Sequence, residues 1–387
     1  ARPPRVAARA VRLCHKGYAP ETVSIHGDSS CIPSGAEGGG GVYENSVAPP
    51  ISTSTTYLAD VHVDGYVYGR DTAPTRTRCE KIISELEGGS AVLYSSGLAA
   101  TFATLFHLNP KRIAIRGGYH GTHNVAKLFH EKLNAGIIDL DDPIGPGDVI
   151  WVETPRNPMC EVYDIEMYAQ TASSKGAYLV VDATMAPPPL QFALRLGADI
   201  VVHSATKYYA GHSDALCGVA VARDPNVGQK LLSERSSLGS PPGNLESWLL
   251  LRSLRTLHIR VKRQTETAQK FAEWLDSKEG GRAHGVLKVY YPSLASHPSH
   301  EVASRQMKGG YGGVLSIELE SERAAKSLPG VLNLMRDATS LGGVESLIEW
   351  RRKYDDQVPP ELLRISVGLE DVNDLIADFK SALIKVK

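Results

Sequence analysis

Residues 178–182 read Tyr178-Leu179-Val180-Val181-Asp182, and residues 200–207 read Ile200-Val201-Val202-His203-Ser204-Ala205-Thr206-Lys207. Each is an apolar, strand-like run that ends on residues able to do chemistry. The interval between them holds a helix-length segment, expected at 190–196. The same rhythm extends outward. Strand-like runs recur at 91–94, 112–115, 149–153 and 218–222, with helical stretches at 97–108 and 165–175. Strand–helix alternation predicts an α/β protein with a mostly parallel sheet covered by helices. In such sheets ligands sit beyond the carboxyl ends of the strands, where the polar residues of these runs fall.

Farther out the pattern changes. Residues 27–56 carry Pro33, the glycines Gly38 to Gly41, Pro49-Pro50 and the polar run Ser52-Thr53-Ser54-Thr55-Thr56. They read as a long loop or extended arm, and long loops in compact enzymes are often functional. Residues 244–276 read as one long helix, with Leu245, Trp248, Leu249, Leu254, Leu257 and Val261 among its apolar positions. It leads into a smaller C-terminal domain that mixes strands (313–319, 363–367) with helices (322–327, 372–384). The expected division is an N-terminal arm over 1–57, a large domain over 58–250 and a C-terminal α/β domain over 251–387.

The chain's 387 residues are enough for two or three domains. Forty-two Lys and Arg against 43 Asp and Glu give a net charge of −1, which offers no general attraction to nucleic acid or an acidic membrane. No apolar run approaches the length of a membrane span. Cys14, Cys31, Cys79, Cys160 and Cys217 are odd in number and scattered. That speaks against a disulfide framework or a zinc site, and for a reducing, cytoplasmic setting. Arg2, Arg5, Arg9, Arg12 and Lys16 make the start basic; a subunit-packing arm is the expectation, with a targeting remnant as the alternative.

Three features share the strand ends. Lys207 follows an apolar run and is flanked by the hydroxyls of Ser204 and Thr206, which suits a Schiff-base lysine beside a phosphate. Asp182 ends a strand 25 residues earlier, as would an acid placed under a pyridine nitrogen. Ser95-Ser96-Gly97-Leu98-Ala99 joins a strand to a helix, where free N–H groups and a glycine admit a phosphate. Read singly, Lys207 is equally a solvated charge, Asp182 more readily a helix cap, and the glycine segment equally a plain turn. Together, at successive strand ends, they point to pyridoxal 5′-phosphate.

The chain resembles the Cys/Met-metabolism family of pyridoxal-phosphate enzymes, which includes cystathionine γ-synthase, cystathionine γ- and β-lyase, methionine γ-lyase and O-acetylhomoserine sulfhydrylase. The resemblance runs from about residue 23 to the C-terminus in ordered blocks. These are Tyr68-Gly69-Arg70 through Pro74-Thr75-Arg76, Tyr94-Ser95-Ser96-Gly97, Tyr119-His120-Gly121-Thr122 and Glu153-Thr154-Pro155-Arg156-Asn157-Pro158. They continue with Val181-Asp182-Ala183-Thr184, the Lys207 run to Gly211-His212-Ser213-Asp214, Ser340-Leu341-Gly342-Gly343-Val344-Glu345-Ser346 and Arg364-Ile365-Ser366-Val367-Gly368-Leu369-Glu370.

The resemblance implies the aspartate-aminotransferase-like fold (fold type I) and a homotetramer built as a dimer of active dimers. It assigns the Schiff base and proton shuttling to Lys207, the pyridine nitrogen to Asp182 and ring stacking to Tyr119. Gly97, Leu98, Ser204 and Thr206 are expected on the phosphate, joined by Tyr68 and Arg70 of a neighbouring subunit. Asn157 is expected near the phenolic oxygen. Arg364 is expected to hold the substrate α-carboxylate, with Ser340 beside it.

Departures from the family pattern bear on the reaction. Val67 stands where members handling cystathionine often carry an acid. Asp71 and Asn124 stand where some synthases have cations suited to an anionic ester. Burying a succinyl or phosphate group without a cation is costly, so a neutral leaving group is expected, that of O-acetyl-L-homoserine. Ala73 replaces the usual Asn before Pro74, and Trp350-Arg351-Arg352-Lys353-Tyr354-Asp355-Asp356 replaces a His-Pro-Ala-Ser-Met-Thr-His-like segment at the substrate entrance. The leading expectation is γ-replacement, a trans-sulfuration transferase activity, with cysteine or a carbon nucleophile as acceptor. The alternatives are a γ- or β-lyase acting on cystathionine or methionine, and a catalytically silent homologue.

Overall fold

The structure is a computed structural model and describes residues 18–28, 47–57 and 65–387. The basic start, the glycine run Gly38 to Gly41, Cys14, Cys31 and the first residues of the expected large domain lie outside the described residues.

In chain order the elements are α1 (Pro20–His26), α2 (Pro74–Glu87), β1 (Ser90–Tyr94), α3 (Gly97–Leu108), β2 (Arg112–Ile115), α4 (His120–Leu133), β3 (Gly136–Ile138) and β4 (Val149–Glu153). Then come α5 (Ile165–Lys175), β5 (Tyr178–Asp182), β6 (Ile200–His203), β7 (Gly218–Ala222), α6 (Pro225–Leu238), α7 (Asn244–Leu254) and α8 (Leu257–Asp276). The C-terminal part holds β8 (Val286–Tyr290), α9 (His300–Gln306), β9 (Val314–Leu319), α10 (Glu322–Ser327), β10 (Arg336–Asp337), β11 (Leu347–Trp350), β12 (Leu362–Ser366) and α11 (Val372–Val386).

Seven strands form the larger sheet in the order β1-β7-β6-β5-β4-β2-β3. β7 is its single reversed strand, antiparallel to both β1 and β6. The sheet is buried on both faces, and side-chain alternation divides each strand between two cores. Leu179 and Val181 pack into one core with Ile150, Val152 and Val201, whereas Val180 packs into the other with Trp151, Ile200 and Val202. Each such fully buried side chain contributes about 1.5–3 kcal/mol, so the strand ends sit on a stiff frame. Five strands form the second sheet, β10-β11-β12-β9-β8, and its core gathers Leu315, Ile317, Ile348, Leu363 and Phe379.

Two sequence expectations need correction. Residues 190–196 form turns and no helix. They follow Pro187-Pro188-Pro189, and their backbone closes in short turns such as Leu190 N–H to Pro187 C=O at 2.9 Å. The span 244–276 is two helices, α7 and α8, broken at Arg255-Thr256. The cause is tertiary. Buried Arg260 donates to the Ser253 carbonyl at the end of α7 (2.9 Å) and to the Tyr208 and Tyr209 carbonyls beside Lys207 (2.8 and 3.2 Å). The Ser253 carbonyl also accepts from the Thr256 N–H at 3.1 Å, a three-residue turn that closes α7. The expected boundary at 250/251 falls inside α7.

Candidate active site

β1 ends at Tyr94, and Ser96 caps α3 by accepting from the Ala99 N–H at 3.1 Å. The start of α3 comes so close to the loop after β6 that a Cβ on Gly97 would stand 3.0 Å from the Ser204 Cβ. Only glycine fits there without displacing Ser204, and it brings the unpaired N–H groups of a helix start to the cavity. The loops after β5 and β6 are tied together. Ser204 N–H donates to Thr184 Oγ1 at 2.8 Å, and Thr184 N–H donates to Asp182 Oδ1 at 3.0 Å. Thr206 is anchored to Cys217, the residue before β7, by bonds in both directions.

β4 and β5 are parallel neighbours, and their register pairs Glu153 with Asp182. Two carboxyl groups therefore end adjacent strands. Glu153 accepts from the N–H groups of Tyr119 (2.7 Å) and Asn157 (2.8 Å), which fixes the start of α4 and the loop after β4. Burial, and then the neighbouring Asp182, raise the Glu153 pKa to about 8. Burial likewise raises that of Asp182, opposed by its bonds from Thr184. Tyr119 is 41% exposed, with its ring against Gly121, where a Cβ would fall 2.5 Å from the ring.

Lys207 follows β6, and its Nζ donates to Ser340 Oγ at 2.9 Å. Burial, then the positive Arg364, lower its pKa to about 8. Ser340 adopts φ +112°, a region costing a residue with a side chain of order 1–3 kcal/mol. It is held there from two sides, because Arg364 Nη2 donates to its carbonyl at 2.9 Å. Arg364 Nη1 also reaches Asn157 Oδ1 at 3.1 Å. Burial pushes the Arg364 pKa down. Across the β11–β12 pair Glu349 faces Arg364. Its Oε2 lies 2.8 Å from Arg364 Nη2 and also accepts from Arg351 Nη1 at 2.8 Å.

These groups surround one cavity of about 490 Å³, within the range of small-molecule sites. Of the residues singled out from sequence, it brings together Gly97, Leu98, Tyr119, Asn157, Asp182, Ser204, Thr206, Lys207, Ser340 and Arg364. It does not include Val67, Tyr68, Arg70, Asp71 or Asn124. Val67 and Tyr68 are 70% and 43% exposed, and the Arg70 guanidinium lies 5.3 Å from the Tyr68 ring centroid. Asp71 accepts a bond from the Ser236 hydroxyl, and Asn124 is exposed on α4. Sequence reasoning passed over Glu153, Thr184, Glu349, Arg351 and Tyr354 as site residues. Glu153 was open to discovery, as it ends a strand in the same way as Asp182; burial of Arg351 depends on Glu349 and carried no sequence signal. Among the described residues no His, Cys, Asp and Glu cluster is arranged to hold a metal ion.

The donor set fits pyridoxal 5′-phosphate. An amine of lowered pKa faces an aldehyde's requirements, a buried carboxyl a ring nitrogen's, and a helix start closed in by glycine a phosphate's.

A family model described as "Cys/Met metabolism PLP-dependent enzyme" matches residues 29–384. The chain is 38% identical over 367 residues to a cystathionine β-lyase of Lactococcus lactis, covering 88% of this chain and 94% of that one. It is 35% identical to a cystathionine γ-synthase of Mycobacterium tuberculosis, covering 98% and 97%. Among solved structures, cystathionine γ-synthase of Xanthomonas oryzae pv. oryzae, in complex with aminoacrylate and cysteine, superposes with a TM-score of 0.86 at 32% identity, covering 95% of this chain and 98% of that one. The large central sheet and the smaller second sheet are thus the fold of these pyridoxal-phosphate enzymes.

Proposed function

This chain belongs to the Cys/Met metabolism family of pyridoxal-phosphate-dependent enzymes, and from that premise we propose that it catalyses γ-replacement on an activated homoserine ester, O-acetyl-L-homoserine in particular. Its cofactor is pyridoxal 5′-phosphate, it is a trans-sulfuration enzyme, and it acts on a small amino-acid substrate. In the proposed reaction the γ C–O bond breaks and acetate leaves. The acceptor, a thiol or a carbon acid, gives up a proton and forms the new C–S or C–C bond.

The observation that carries the reading is the bridge through Ser340, which bonds Lys207 on one side and Arg364 on the other. In this reading Arg364 holds the α-carboxylate, and the bridge through Ser340 ties the lysine amine to that same anchor. Lys207 would hold the cofactor through Nζ and, when free, would move the α-proton; a pKa near 8 suits it to both directions of transfer. When bound, the cofactor supplies an electron sink for the charge left at the α-carbon. Asp182 would keep the ring nitrogen protonated, Tyr119 would stack on the ring, and Asn157 would serve its phenolic oxygen. Gly97, Leu98, Ser204 and Thr206 take the phosphate.

Tyr68 and Arg70, exposed on this chain and outside its own cavity, would join the phosphate of a neighbouring subunit's site in a dimer of dimers. Asp71 and Asn124 bring no cation, which supports a neutral leaving group, and Val67 brings no acid to meet a distal ammonium. The three described cysteines are free and buried, in keeping with a cytoplasmic protein; among the described residues no helix is long and apolar enough to cross a membrane.

The test mixes O-acetyl-L-homoserine with cysteine and with carbon acids, and identifies new amino acids by mass. Release of 2-oxobutanoate whatever the acceptor would replace this reading with a γ-lyase. A lyase reading, γ or β, is favoured by relatives named cystathionine γ-lyase and β-lyase that are as similar as the synthases. Cofactor-loaded protein that turns over none of these substrates would identify a catalytically silent, pyridoxal-phosphate-binding homologue.

A further inference from the structure

We infer that Arg351 binds a second carboxylate, distinct from the α-carboxylate of the reacting amino acid. Arg351 lies in the segment Trp350 to Asp356, which departs from the family pattern, and the fold holds that segment firmly. Trp350 Nε1 donates to the Pro360 carbonyl at 2.8 Å, Arg352 Nη1 to the Val358 carbonyl at 3.0 Å, and Tyr354 N–H to the Arg351 carbonyl at 3.0 Å. The short 3-10 turn that begins at Arg351 sets its side chain into the wall of the cavity that holds Lys207 and Arg364, with Tyr354 alongside.

Arg351 is only 6% exposed, and Nη1 is bonded to Glu349 Oε2. Its Nε is buried without a hydrogen-bond partner. A buried donor left unpaired costs about 1–3 kcal/mol, which a ligand bound there recovers. The chemistry of that ligand follows from the guanidinium. With Nη1 taken, the free edge is the one carrying Nε and Nη2, whose parallel N–H groups match the two oxygens of a carboxylate. Glu349 does not meet the need: one of its oxygens is shared by Arg351 Nη1 and Arg364 Nη2 at 2.8 Å, and the other, Oε1, is buried without bonding Arg351 Nε. The two cations adjoin through one carboxylate oxygen, so a ligand whose α-carboxylate sits on Arg364 and whose neighbour carries another carboxylate satisfies both.

Two sources share this chemistry under the proposed replacement reaction: a carboxylate-bearing acceptor, and a leaving group that is itself a carboxylic acid half-ester. The inference rests on that reading only for the source. The test begins with holoenzyme and two non-reacting probes, glutarate and butyrate, which differ by one carboxylate. Wild-type protein is expected to bind glutarate about 10- to 100-fold more tightly, the ratio given by one charge-assisted pairing. Arg351→Met is expected to bring that ratio to near one, and Arg351→Lys to keep part of it. A ratio taken within each variant is insensitive to a general loss of folded protein. Equal binding of the probes by wild type, or a ratio unchanged in Arg351→Met, overturns the inference.

Turnover then separates the sources. A defect of Arg351→Met confined to carboxylate-bearing acceptors, spared with their methyl esters, assigns the site to the acceptor. A defect confined to O-succinyl-L-homoserine, spared with the O-acetyl ester, assigns it to the leaving group. Should the protein prove a lyase, the probe ratio still decides the inference independently.

Discussion

Replacing Lys207 with Met in the cofactor-free protein is expected to stabilise it at neutral pH while removing all activity. The lysine amine is drawn from an ordinary value of 10.5 to about 8 by burial, and then by Arg364. At about 1.4 kcal/mol per decade of proton affinity, that gap corresponds to a cost of about 3 kcal/mol for holding the ammonium in the folded site. The cost is fully present below pH 8, where the amine is charged in both folded and unfolded chains. Between pH 8 and 10.5 the unfolded chain binds the proton and the folded one does not, so stability rises with pH and the cost fades. Met removes the charge and keeps the apolar stem, at the loss of the 2.9 Å bond to Ser340, worth about 1 kcal/mol. A net gain of about 2 kcal/mol at pH 7 follows, shrinking to nothing or below by pH 10.5. Urea midpoints of cofactor-free wild type and variant at pH 7, 9 and 10.5 measure it. A variant less stable than wild type at pH 7, or a difference that does not shrink with rising pH, refutes the reasoning and removes the argument for a poised amine.

Glu349→Ala is expected to cost about 3–5 kcal/mol, because it strands the buried guanidiniums of Arg351 and Arg364; thermal melts read it, and adding Arg351→Met recovers part of the loss. Gly97→Val places a Cβ 3.0 Å from Ser204 and lengthens the approach of the α3 start to the phosphate. The expected effect is a cofactor affinity lower by about tenfold or more, from one weakened charged hydrogen bond, measured by titrating cofactor-free protein. Arg364→Lys keeps the charge but loses the planar fork, so KM for the amino acid is expected to rise about 10- to 100-fold, with cofactor absorbance unchanged. An unchanged KM would show that Arg364 does not hold the α-carboxylate.

The sequence conveyed the large sheet because its strands are covered on both faces and read as continuous apolar runs. β4, β5, β6 and β7 begin and end where composition places them. It misled where structure depends on partners far along the chain. Nothing in 244–276 marks a break at Arg255-Thr256. The interruption comes from Arg260 gathering carbonyls from α7 and from the segment after Lys207. Residues 190–196 have helical composition, yet Pro187-Pro188-Pro189 commits them to turns. Lys207, Asp182 and Gly97 were legible because each ends a strand or opens a helix, positions that local pattern exposes. Glu349 and Arg351 lie on and just beyond a strand of the second sheet, and their roles arise from the register that sets Glu349 against Arg364.

That register changes how charge at the entrance is to be reasoned about. The sequence argument for a neutral leaving group counts cations at two positions, Asp71 and Asn124, and finds none. Both lie outside this chain's own cavity, the first engaged with Ser236 and the second exposed on α4. Arg351 is inside it, two residues beyond Glu349. The two observations are compatible if they describe different partners in one reaction. A site without cations at 71 and 124 suits an uncharged acetyl group departing from the γ-carbon, whereas a guanidinium beside Arg364 suits an acceptor that carries its own carboxylate. Cysteine and carboxylate-bearing carbon acids both have that property, and a plain sulfide ion does not. Substrate preference among acceptors, with acid compared against methyl ester, is therefore the measurement in which the effect of Arg351 is most visible.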